Sequence, residues 1–115
     1  MKQRRIVVTG IGVVTPIGTG RERFWSNLLE GRSGIRTVQS FDTSSYSVHR
    51  GAEVHDFEAE NYVSNLDAAH LGRASQFAIA AARLALTDAN VEIVSLDLER
   101  AGVSMGTTSG EPREV

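Results

Sequence analysis

The sequence contains no cysteine among its 115 residues. Disulfides, thiolate metal sites and cysteine nucleophiles are therefore excluded within this stretch. No apolar run is long enough to cross a bilayer, and the Lys2, Arg4 and Arg5 cluster is followed by a glycine-broken strand-like segment rather than a secretory apolar core. A formal charge of −2 leaves no basic field for nucleic acid. With 41% hydrophobic and 23% charged residues, disorder is disfavoured. The length suits one small domain without an internal boundary, and a cytoplasmic protein is expected.

What is present alternates between strand-like and helix-like segments. Ile6, Val7 and Val8 are consecutive β-branched residues, predicting a doubly buried strand over residues 5–10. Pro16 delays any helix, and Thr19 with Glu22 fits a capping box ahead of Phe24, Trp25, Leu28 and Leu29. Gly31 is placed to end that helix in the left-handed conformation. Residues 33–65 carry weaker signals, with an extended segment expected around His49 to Val54. An alanine-rich helix follows over residues 73–89, apolar on more than one face. A second buried-type strand is predicted over residues 101–106, parallel to the first. Two such strands cannot hide both faces of a sheet, so the chain reads as the front of a larger α/β fold.

The motifs narrow the chemistry mainly by what they omit. Gly10 and Gly12 follow the first strand, but Thr15 stands where a dinucleotide fingerprint needs its third glycine. The pair is read instead as small residues admitting close backbone packing, with a nicotinamide-dependent reductase as a weak alternative. His49 and His55 lie near Glu53, Asp56 and Glu58 without metal-ligand spacing, and are read as loop histidines. His70 is read as a helix-entry residue. No Gly-x-Ser-x-Gly elbow is present around Ser109. The Thr107, Thr108, Ser109 and Gly110 loop follows a predicted strand, the end at which open α/β sheets place ligands.

Several segments in order resemble the β-ketoacyl-acyl carrier protein synthases. They are Arg5 to Gly18, the Phe24–Trp25 and Leu28–Leu29 helix with Gly31, Ser33–Gly34–Ile35, Phe41–Asp42, Arg73 to Ala89, and Arg100 to Glu111. Gly72 departs from the family, which often has an acidic residue before the arginine; Asp67 is the expected cap from further upstream. The resemblance implies the thiolase-like fold, here the N-terminal part of its first half, with helices sandwiched between sheets. It implies a condensing enzyme that joins an acyl thioester to malonyl-acyl carrier protein, works as a homodimer and needs no cofactor. The family nucleophile is a cysteine at a helix start, assisted by two histidines and a lysine. His49, His55, His70 and Lys2 match none of these, so no catalytic residue is assigned and the 115 residues alone are expected to be inactive. By resemblance, Thr107, Thr108, Ser109 and Gly110 lie near the acyl pocket and dimer interface, with Ser109 facing the acyl tail. A non-catalytic interaction module is the alternative.

Overall fold

The computed structural model describes residues 3–65, 67–108, 110 and 111. They form two compact units: residues up to Gly12 together with those from Ala59 onward, and Val13–Glu58.

The Val13–Glu58 unit begins with a tight antiparallel hairpin, β1 (Val14–Thr15) and β2 (Gly18–Thr19), in which Val14 faces Thr19 and Thr15 faces Gly18. Pro16 opens the two-residue connection, where its fixed φ suits a turn. The Thr15 hydroxyl donates to the Gly18 carbonyl at 2.9 Å, and the Asn27 side-chain amide donates to the Ile17 carbonyl. Helix α1 (Arg21–Leu29) follows directly.

The expected Thr19 cap is not formed. Thr19 is held in the hairpin ladder, and the N-cap is Gly20, at φ 85 and ψ 150, with no side-chain cap. That conformation is costly for any residue with a Cβ, so glycine makes the switch from strand to helix here. The other end behaves as the sequence suggests. Gly31 adopts φ 66; its N–H donates to Leu28 and that of Arg32 to Asn27, the paired bonds of a Schellman motif. The apolar face of α1 is largely open to solvent: Trp25 is 56% and Leu29 70% exposed.

A second antiparallel hairpin joins β3 (Ile35–Thr37) to β4 (Arg50–Ala52), with Arg36 opposite Gly51. β4 fulfils the extended segment expected around His49 to Val54. Glu53 closes the hairpin's open end, accepting from the Gln39 N–H at 2.8 Å, the Ser40 N–H at 3.2 Å and the Ser40 hydroxyl.

The other unit is organised on helix α2 (Arg73–Asp88), the alanine-rich segment. Ala80 is fully buried, while Phe77, Ile79, Leu84 and Leu86 are half-buried. The glycine pair explains part of that cover. A Cβ on Gly12 would lie 1.9 Å from the Ala81 carbonyl oxygen, and one on Gly10 would lie 2.2 Å from that of Ala85. The Ile11 N–H donates to Asp88 at 2.9 Å between these two contacts. Gly10 and Gly12 thus bring backbone against the alanine stripe, as the packing reading requires.

Neither predicted buried strand forms. Residues 5–10 and 101–106 make no ladder, and Ile6, Val8 and Val103 are exposed. The parallel pairing expected between them is replaced, among the described residues, by the two antiparallel hairpins. β-branched composition favours a strand only where neighbouring strands and covering layers exist to bury it. The buried apolar residues described are Phe57, Ala59, Ala68 and Ala80, which is little core for either unit.

Candidate functional site

The loop singled out in the sequence lies at the beginning of α2. Thr107, Thr108 and Gly110 are exposed, and the Gly110 N–H donates to the Thr107 hydroxyl at 3.1 Å. Gly110 takes φ 68. Ser109 lies outside the described residues.

The residue that ties this loop down is one the sequence reading did not select. Glu111 accepts from the Ser75 backbone N–H through Oε1 and from the Ser75 hydroxyl through Oε2, each at 2.9 Å. Ser75 is in the first turn of α2, where backbone N–H groups lack intrahelical acceptors and the helix dipole favours negative charge. These two bonds, the backbone one foremost, hold the Glu111 carboxyl below the ordinary glutamate value. The missing cap at Gly72 and the hydroxyl at Ser75 were visible in the sequence, but the acid completing them stands 36 positions away.

Asp67 does not cap α2 as expected. Its side chain accepts from the Ala69 N–H at 3.0 Å and so caps the preceding 3-10 turn at Ala68–His70. It also pairs with His70 Nδ1 at 2.8 Å, placing His70 in the turn that enters the helix. Gln76 reaches back to the Ala68 and Leu71 carbonyls at 2.9 and 3.1 Å, and the Arg73 guanidinium stacks 4.7 Å from the Phe77 ring centre. The start of α2 is therefore fixed from both flanks.

The other histidines are engaged locally. His49 Nδ1 lies 3.1 Å from the Thr43 hydroxyl, and His55 Nε2 lies 3.7 Å from Glu53. Among the described residues, no group of three or more histidine, aspartate or glutamate side chains is disposed to hold a metal ion. A cleft of about 330 Å³ in the Val13–Glu58 unit is bordered by Pro16, Ile17, Arg23, Asn27 and Arg36. Its Arg23 is paired with Asp56 at 2.7 Å. A shallower one of about 430 Å³ runs beside α2 at Tyr62, Arg83, Thr87 and Val91. Neither includes Thr107, Thr108 or Gly110.

What the geometry offers is a small-residue loop fixed at a helix start, without a thiol. Comparison with known proteins shows the family of the chain. Residues 3–115 match the β-ketoacyl synthase N-terminal domain family. The chain belongs to that family. It is 37% identical over 110 residues to 3-oxoacyl-[acyl-carrier-protein] synthase 2 of Synechocystis, covering 96% of this chain and 26% of that protein. The enzyme of the same name from Vibrio harveyi is 39% identical over 110 residues, with the same coverage. Among solved structures, the ishigamide ketosynthase/chain length factor is 41% identical, with a TM-score of 0.73 over 78% of this chain and 22% of that one. This β-ketoacyl synthase chain therefore shares the ketosynthase, thiolase-like α/β fold and spans about a quarter of the length of its curated relatives. No described helix is long and apolar enough to cross a membrane.

Proposed function

We propose that these residues are the N-terminal portion of a single ketosynthase domain that forms carbon–carbon bonds in fatty acid or polyketide biosynthesis. The carrying observation is the family match over residues 3–115, at 37–39% identity to 3-oxoacyl-[acyl-carrier-protein] synthases. In this reading an acyl group is held as a thioester on a cysteine of the parent enzyme. Malonyl-acyl carrier protein loses carbon dioxide, and the resulting carbanion attacks the acyl carbonyl. The new carbon–carbon bond forms as the bond to the cysteine sulfur breaks and releases the thiolate, which takes up a proton from water to restore the thiol. The present residues contain no cysteine and so contribute scaffold and substrate contacts, not the nucleophile.

The exposed apolar surfaces support the same reading. Ile6, Val8, Val103 and Met105 lie on unpaired extended segments, and Trp25 and Leu29 on an open helix face. In the layered αβαβα architecture of a complete ketosynthase these become strand and helix faces covered by further layers. Thr107, Thr108, Ser109 and Gly110 then border the acyl pocket and the dimer interface. The partners are acyl carrier protein, acyl and malonyl thioesters and a second copy of the same enzyme, in the cytoplasm and without a cofactor.

The test is to assay the native gene product and the 115-residue chain in parallel for 3-oxoacyl-carrier formation from acyl and malonyl carriers. The native product should have a mass several times that of these residues, carry an acyl adduct on cysteine and condense, while the short chain does neither. Condensation by the short chain overturns the division of labour. A native product without thiol or activity overturns the enzyme reading in favour of an interaction module.

A further inference from the structure

The start of α2 contains a substitution of one residue's function by another. Gly72, the N-cap, has φ −66 and ψ 159, a conformation open to every amino acid. Glycine is therefore not required there for its backbone freedom. What it supplies is space: a Cβ on Gly72 would come to 2.0 Å from Glu111 Cδ and 2.2 Å from Glu111 Oε1. The Glu111 carboxylate thus occupies the place where the side chain of an ordinary N-cap residue would stand. It also does that residue's work, accepting the Ser75 N–H at 2.9 Å, the bond that an N-cap aspartate or serine makes to the third helical residue.

We propose that Glu111 is a positioning residue: a cap supplied from a distant loop, which seats Gly110 and the Thr107 bonded to it on α2 because position 72 has no side chain. One carboxylate performs two tasks that a local cap would separate. It satisfies the first turn of the helix, and it anchors the loop whose Gly110 N–H is already bonded to Thr107. A local acid at position 72 performs the first task and evicts Glu111 from the second. The cap is a matter of geometry in this chain; only its consequence for an acyl chain rests on the ketosynthase reading.

Position 72 and Glu111 should accordingly compete. The variants are Gly72→Asp, Gly72→Ala, Glu111→Ala and the double Gly72→Asp/Glu111→Ala, each in the full-length protein. Amide hydrogen exchange is read at Ala74–Ser75 and at Thr107–Gly110. Glu111→Ala should speed exchange at both places. Gly72→Asp should leave the helix amides protected yet speed exchange in the loop about as much as Glu111→Ala does. In the double variant the helix amides recover and the loop stays fast. Gly72→Ala, which brings bulk without a cap, should loosen both and serves if Glu111→Ala does not fold. The proposal fails if Gly72→Asp leaves loop exchange unchanged, or if it acts equally with and without Glu111. Neither failure bears on condensation, which the preceding assay decides separately.

Discussion

Gly12 lies so close to Ala81 that a Cβ on the glycine would reach 1.9 Å from the alanine carbonyl oxygen. The contact is to helix backbone, which cannot swing aside as a side chain does. With Gly10 against Ala85 and Ala89, it forms a seam in which the N-terminal segment lies along the alanine stripe of α2.

Gly12→Ala should therefore destabilise the protein by about 3 kcal/mol or more, at or above the upper end of ordinary overpacking. In the 115-residue chain Gly102→Ala, at a position with nothing within 4 Å among the described residues, serves as the control and should be near neutral. Urea denaturation midpoints of the two variants distinguish them. Equal midpoints would mean that the seam does not hold the segment in place.

How much of this was legible in the sequence follows from how far apart the interacting residues stand. Helix α2 was readable because alanine content and apolar spacing act within a few residues. The end of α1 at Gly31 was readable for the same reason. The Thr19 capping box failed because a hairpin across Pro16 claimed Thr19 first, leaving Gly20 as the cap. The buried strands at residues 5–10 and 101–106 were read from composition, yet pairing depends on neighbours that local sequence does not specify. Glu111 was missed because nothing near it in sequence indicates an empty cap at Gly72. The glycine pair indicates close backbone packing from sequence alone, whereas its partner helix is visible only in the fold.

The two helix ends form a matched experiment. Both close with Schellman bonds, α1 on Gly31 at φ 66 and α2 on Asn90 at φ 54, where Val91 donates to Leu86 and Asn90 to Thr87. Left-handed backbone costs roughly 1–2 kcal/mol for a residue with a Cβ, less for asparagine and little for glycine. Gly31→Ala should then lose about 1 kcal/mol, while Asn90→Gly should gain a few tenths and Asn90→Ala lose a comparable amount. Thermal midpoints order the three. A stabilising Gly31→Ala would show that the motif at α1 is not maintained in solution.

Carboxylates held by hydrogen bonds make the stability depend on pH. Glu53 is held below the ordinary glutamate value first by the Ser40 hydroxyl and then by the Gln39 N–H. Asp42, bonded to the Ser44 N–H and hydroxyl, and Glu111, bonded to Ser75, are lowered in the same sense. A depressed folded-state value means that the folded form binds its proton less readily than the unfolded chain does. Each carboxylate therefore adds stability that is fully present above the ordinary carboxylate range and is lost as the pH falls through the depressed value. Urea midpoints of the unaltered protein should fall steadily as the pH is lowered from 6 to about 3, the region in which carboxylates titrate. Glu53→Gln should lower the midpoint at neutral pH and flatten that fall without abolishing it, because Asp42 and Glu111 still titrate. An acid limb as steep in Glu53→Gln as in the unaltered protein would mean that the Ser40 and Gln39 bonds do not hold Glu53 in the folded state.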